Sequence, residues 1–176
     1  MARFDQVPIR NFSRVSGTLF RGAEPGFAGL DFVRGLGIRT IIDLRKPGFG
    51  TEVEQDWAAH RGLQYFNVDL GYFSIPQHVT AAMLAIMLHP SYQPVFLHCN
   101  DGLDRTGAMV AIHRIAVEGW PLSWANTELL AKGFHPWQWF LKKAVTRFGE
   151  QMCALDSNQR LWAVQELVES NLFPVL

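Results

Sequence analysis

Cys99 and Arg105 are the residues whose types and spacing point most directly to chemistry. They lie within the run PVFLHCNDGLDRTG that begins at Pro94. A buried strand is predicted to end at His98, directly before the cysteine, and a helix to begin at the arginine. A strand-to-helix turn containing glycine aims successive backbone N–H groups into one concavity, and the helix dipole adds partial positive charge. Such a nest suits a phosphate dianion, and it also suits a thiolate. An ordinary cysteine, with a pKa near ~8.5, is only a few per cent ionised at neutral pH. Main-chain dipoles shift that balance toward the anion, which attacks phosphorus without a separate base. Arg105 offers a planar fork that pairs two phosphate oxygens at once, which lysine cannot do. The Thr106 hydroxyl is placed to bond the sulfur and help it leave. Gly102 permits the positive backbone angle that the turn needs. His98 is positioned to orient the loop by hydrogen bonds. Together with Asn100, Asp101, Leu103 and Asp104, these residues form the expected substrate-binding loop.

Short apolar runs alternate with helical patterns around this loop, which predicts a mixed α/β fold: a small central mixed sheet flanked by helices. Strands are read at Thr18 to Arg21, Thr40 to Leu44, Gln64 to Val68 and Val95 to His98. Helices are read at Phe27 to Leu36, Thr51 to His60 and Gln77 to Leu88, the last with Val79, Met83, Ile86 and Met87 on one face. Gly35 to Gly37 and Arg61 to Gly62 read as helix exits. The last third is predicted to be helical. Arg105 to Glu118 is apolar nearly all round and ends at Gly119. A helix opens at Pro121 and closes at Gly133. Pro136 to Phe148 and Asn158 to Ser170 follow, the last capped by Asp156 or Ser157.

Composition narrows the partners. Lysine plus arginine number 16, as do aspartate plus glutamate, so no overall field favours nucleic acid or an anionic membrane. An anion bound here must be held by a local site. The longest strongly apolar stretch, Val79 to Leu88, is too short to span a bilayer. The N-terminal MARFDQVPIRNFSRVSG lacks the apolar run of a secretory signal. The chain is therefore expected to be a single domain over residues 1–176, cytoplasmic and not inserted in a membrane. Two cysteines, Cys99 and Cys153, make neither a disulfide framework nor a zinc pattern. Six histidines without paired ligand spacing give no metal site, and no cofactor is expected.

Four segments carry a resemblance to a known family. His98-Cys99-x5-Arg105-Thr106-Gly107 resembles the signature loop of the protein tyrosine phosphatase superfamily. The segment from Leu19 to Pro25, LFRGAEP, is similar to the "YRSGQP" opening of its compact dual-specificity-like members from bacteria and fungi. LGIRTIIDLR, from Leu36 to Arg45, resembles their "LGIKTVINLR" strand. Glu118-Gly119-Trp120 through Gly133-Phe134 resembles their next helix. Relatives of this group include cysteine phytases and inositol pyrophosphate phosphatases. The resemblance implies the tyrosine phosphatase fold and a metal-free reaction in two steps. Cys99 forms a phosphocysteine while an acid protonates the leaving oxygen, and water then hydrolyses the intermediate. The acid of such enzymes is an aspartate about thirty residues before the cysteine. Asp69 stands at that distance, with Asp101 and Asp104 as rivals.

The substrate implied is either a phosphoprotein or an inositol polyphosphate. Asp101 and Asp104 in the loop oppose a polyanion, while the resemblance implies that Arg21, Arg45, Lys46, Lys132 and His135 lie on segments near the mouth and restore the positive charge. The alternative to an enzyme is a pseudophosphatase, a phosphate-binding module without turnover, although such modules normally lack the cysteine or the arginine that this chain keeps. Elsewhere the plainer readings hold. Cys153 reads as core, Asp43, His89 and His113 as structural, and the six tryptophans as packing. The runs Trp137 to Phe140 and Leu172 to Leu176 read as apolar surface.

Overall fold

A computed structural model describes residues 7–172; the first six residues and residues 173–176 of the apolar C-terminal run lie outside them. The described chain divides into two units, one comprising residues up to Asp69 together with His89–Gly102, the other Leu70–Leu88 together with Leu103 onward.

β-Branched and aromatic residues in runs of four build the sheet of the first unit. Its strands are β1 (Ser13–Arg14), β2 (Leu19–Gly22), β3 (Thr40–Asp43), β4 (Gln64–Asn67) and β5 (Val95–His98). Their order is β1-β2-β5-β3-β4, with β1 antiparallel to β2 and the other pairs parallel. β3 and β5 are buried at every position, as central parallel strands are. The pairing aligns Gly22, His98, Asp43 and Asn67 across the C-terminal ends of the parallel strands. β5 lies between β2 and β3, so the chain reverses its direction of winding there. Open α/β sheets bind ligands beyond such strand ends.

Helices α1 (Gly26–Gly35) and α2 (Phe49–His60) connect the parallel strands of this unit. Each ends within two residues of the glycine expected to close it. Side chains alternate along a strand, so Ile41 and Phe96 share one face, and they meet Leu30 and Val33 of α1 and Ala58 of α2 there. Phe12, Phe20, Phe32, Trp57 and Tyr65 pack around this core.

The second unit contains α3 (Gln77–Leu88), α4 (Asp104–Ala116), α5 (Leu122–Ala131), α6 (Trp139–Cys153) and α7 (Ser157–Leu172). α4 touches each of the other four. Every residue from Arg105 to Ala116 is buried, which accounts for its apolar character on all sides. Asp156 caps α7, its Oδ1 accepting from the N–H groups of Asn158 (2.8 Å) and Gln159 (2.9 Å). No helix among the described residues is long and apolar enough to cross a membrane.

Several expectations are corrected. β1 was invisible because two residues carry no periodicity. α6 begins at Trp139, after a turn in which the Gln138 N–H donates to the His135 carbonyl, and it continues through the buried Gly149 to Cys153 instead of stopping at Phe148. Cys153 is exposed, because Met152 takes the inward position at the end of α6. His89 lies beyond α3 and is exposed. Trp124, Trp137, Trp139 and Trp162 are all more than half exposed. Their rings pair locally, Trp137 with His135 and Trp139 with Phe140, instead of filling a core.

Phe96 is fully buried and stacks on His98. Phe96→Ala is expected to lower the unfolding free energy by about 3–5 kcal/mol, measured by urea denaturation. A loss under about 1 kcal/mol would place the core of the first unit elsewhere.

Candidate active site

The loop that follows β5 divides between the units: His98 to Gly102 belong to the first, Leu103 to Thr106 to the second. In the first unit, three consecutive carbonyls of the loop are tied down. The Asn100 carbonyl accepts from the Glu24 N–H at 3.1 Å. The Asp101 carbonyl accepts from Asn11 Nδ2 at 2.8 Å. The Gly102 carbonyl accepts from Arg21 Nη2 at 2.7 Å, with that arginine buried. A trans peptide points its C=O and its N–H in opposite directions. Anchoring these three successive carbonyls therefore turns each following N–H in the row, those of residues 101–103, away from its own anchor. Gly102 makes this possible: its φ is +70°, and a Cβ there would collide with the Gly22 carbonyl. Cys99 stands at the head of the row, 3% exposed. The Asp101 carboxylate pairs with Arg10 at 3.0 Å on the surface.

In the second unit, Leu103 precedes α4, and its carbonyl accepts from the Gly107 N–H at 2.9 Å. Leu103 packs against Gly133, where a side chain would meet it. Asp104 opens α4. Its carboxylate accepts from the His135 backbone N–H (2.8 Å) and lies 2.9 Å from His135 Nδ1. Arg105 is buried, and its guanidinium carbon stands 4.5 Å from the centre of the Tyr72 ring. The Thr106 hydroxyl is fully buried without a hydrogen-bond partner among the described residues.

Behind Cys99 lies a charged cluster that sequence reading did not assemble. Arg45 Nη2 donates to Asp43 Oδ2 and to Glu54 Oε2, both at 2.7 Å, and Arg45 also pairs with Glu24. The Tyr65 hydroxyl donates to Asp43 Oδ2 at 2.6 Å. His98, fully buried, has Nε2 2.7 Å from Glu54 Oε1 and Nδ1 3.2 Å from the Cys99 carbonyl. Asp43, Glu54 and His98 offer ligand atoms within 4.8 Å of one another, yet the cation at this cluster is the Arg45 guanidinium. Burial pushes the Asp43 carboxyl up, but Arg45, His98 and Tyr65 together outweigh it and hold Asp43 below its usual range. Burial opposes the charged form of His98, but Glu54 and then Asp43 raise it. Burial and the bond to Asp43 both raise Tyr65.

The structure thus reassigns two arginines counted as free positive charge. Arg21 holds the loop backbone, and Arg45 is consumed by carboxylates. Asp43 remains structural, as expected, but at the centre of the cluster. Of the three aspartates considered for the acid, Asp101 and Asp104 are engaged. Asp69, just beyond β4, is exposed and has no side-chain partner among the described residues. Glu54, Asn11 and Tyr72 were missed. Glu54 and Asn11 act through contacts distant in sequence, and only the place of Tyr72 three residues after Asp69 hinted at its role.

A mixed, mostly parallel sheet whose central strand ends at a cysteine, followed by a glycine-bearing loop and a buried helix, defines a class of phosphatase folds. The sequence model of the Tyrosine phosphatase family matches residues 6–137, and the chain belongs to that family. It is similar to inositol diphosphatase DSP4 of Arabidopsis thaliana, 30% identical over 122 residues that span 66% of this chain and 61% of that protein. It is also similar to the dual specificity protein phosphatase TpbA of Pseudomonas aeruginosa, 26% identical over 135 residues, 72% of this chain and 56% of that one. The chain thus spans less than two thirds of the length of either relative. Among solved structures, the core catalytic domain of the PP-IP phosphatase SIW14 from S. cerevisiae shares its fold, with a TM-score of 0.72 at 22% identity over 92% of this chain and 96% of that one.

The charges of the cluster give stability a pH dependence on both sides. The Asp43 contribution is whole above its unfolded pKa of ~3.9 and is lost as pH falls through its depressed folded value. The His98 contribution is whole below ~6.5 and is lost as pH rises through its raised folded value. Arg45→Met leaves buried carboxylates uncompensated and is expected to cost about 3–5 kcal/mol at neutral pH. Thermal melts across pH should show the acid shoulder of the variant moved upward. Unchanged melts would mean that the cluster is solvated.

Proposed function

We propose that this chain is a cysteine-dependent phosphatase, acting in the cytoplasm as one domain over residues 1–176, which hydrolyses phosphomonoesters through a phosphocysteine. The observation that carries the reading is the anchoring of three successive carbonyls immediately after Cys99, which leaves each following N–H directed away from its anchor. Main-chain dipoles fixed in advance stabilise an oxyanion without reorganisation during the reaction.

In the first step the Cys99 thiolate attacks phosphorus. The bond from phosphorus to the leaving oxygen breaks, and Asp69 gives that oxygen its proton. In the second step water attacks the phosphocysteine, the S–P bond breaks, and the electron pair returns to sulfur. The Thr106 hydroxyl donates to the departing thiolate. Arg105 pairs the phosphate oxygens, with Tyr72 covering one face of its guanidinium. Asp69 is the acid because Asp101 and Asp104 are committed to Arg10 and His135.

The substrate is a phosphorylated molecule, a phosphoprotein or an inositol polyphosphate; the names of the relatives cover both. A pseudophosphatase is disfavoured, since Cys99 and Arg105 are both retained.

Cys99→Ser is expected to abolish hydrolysis of a small aryl phosphate while oxyanion binding persists; retained turnover would reject the nucleophile. Asp69→Asn is expected to slow substrates with poor leaving groups by about 10²–10⁴-fold and activated aryl phosphates much less. Equal losses on both would move the acid elsewhere. Rates on a phosphotyrosine peptide, inositol hexakisphosphate and an inositol pyrophosphate, taken with one enzyme preparation, decide the substrate class.

A further inference from the structure

His98 has an acceptor at each ring nitrogen. Nε2 faces Glu54 Oε1 at 2.7 Å, and Nδ1 faces the Cys99 carbonyl at 3.2 Å, with Asp43 Oδ1 3.9 Å away. A neutral imidazole has only one N–H, so one of these contacts would set lone pair against lone pair; an imidazolium donates at both ends. Charge counting agrees. Among the buried groups of the cluster, Asp43 and Glu54 supply two negative charges and Arg45 one positive, so a protonated His98 brings the cluster to neutrality. Glu24 sits at the exposed rim, Tyr65 is a neutral donor to Asp43, and the Phe96 ring stacks on the imidazole from its own strand. Glu54 is the shared element: one oxygen holds Arg45 and the other faces His98.

We infer that Glu54 is a positioning residue that keeps His98 as a buried imidazolium, whose Nδ1–H grips the Cys99 carbonyl and so sets the direction of the first peptide of the anion loop. The inference rests on Cys99 being the reacting residue. The Cys99 carbonyl belongs to the same peptide as the Asn100 N–H. Fixing the one aims the other, and the row of amides gains its first member. The imidazolium also places a full positive charge one residue before the sulfur, where no solvent screens it. The raised affinity of His98 for its proton, which Glu54 causes against the opposing effect of burial, supports the same protonation state. Nothing in the local sequence marks Glu54 for this role; it arrives from α2.

Nitrogen-15 NMR of the histidine-labelled full chain tests this directly, with His98 assigned by comparison with His98→Asn. At pH 7.5 both nitrogens of His98 in the wild-type chain should carry protons, above the ordinary histidine pKa of ~6.5. In Glu54→Gln, His98 should lose one proton at that pH. kcat for a small aryl phosphate should fall on the order of 10–10²-fold, with KM little changed and Cys99 alkylated more slowly by iodoacetamide. Glu54→Asp should restore part of kcat. A neutral His98 in the wild-type chain overturns the proposal even if Glu54→Gln fails to fold. So does a His98 that stays doubly protonated, with kcat unchanged, in a folded Glu54→Gln. Turnover retained by Cys99→Ser would instead defeat the phosphatase reading while leaving the protonation of His98 as found.

Discussion

A trans peptide cannot point its carbonyl and its N–H to the same side, and the site depends on that constraint. The loop after Cys99 carries no lysine and includes two carboxylates, so side-chain charge is not what prepares it for an anion. The preparation comes from the other end of each peptide. Glu24, Asn11 and Arg21 hold the carbonyls of residues 100–102, and the amides face the opposite way as a consequence. Gly102 allows the close approach of β2 and the loop, because a Cβ there would run into the Gly22 carbonyl. The order of the strands serves this end, since β5 runs beside β2 and brings the loop against the residues that flank it.

The charged cluster is the other support, and it is costly. Burying four ionic groups requires that each be compensated, and a hydrophobic replacement of the whole set would fold as well or better. The cluster ends at the carbonyl of Cys99. Arg45 bonds both carboxylates of the cluster, Asp43 and Glu54. A guanidinium also has the fixed fork that two carboxylates on different elements require. Glu54, His98 and Asp43 thus support the loop at the Cys99 carbonyl, as Glu24, Asn11 and Arg21 support it at residues 100–102.

What was legible in the sequence was local. Val95 to His98, the loop and the buried helix after it could be read because strand pattern, glycine and apolar helix are contiguous. Thr40 to Asp43 and Gln64 to Asn67 were readable from β-branched and aromatic content. The unread parts depend on contacts between distant positions. Glu54 lies 44 residues before His98, and nothing around it distinguishes it from a solvated helix carboxylate. Arg21 and Arg45 looked like available charge because sequence shows a side chain's charge and not its partners. Cys153 and Trp139 failed for a related reason: on an amphipathic helix of 15 residues, one position of rotation decides between core and surface.

The most direct measurement is a rapid acid quench of the protein during turnover of a phosphomonoester, followed by mass spectrometry of its peptides. One phosphoryl group on the peptide containing Cys99, absent from Cys99→Ser and accumulating when hydrolysis of the intermediate is slowed, is the predicted result. Turnover with no phosphoryl group on Cys99, or with the group on a histidine or an aspartate, would contradict the assignment of the sulfur as the nucleophile.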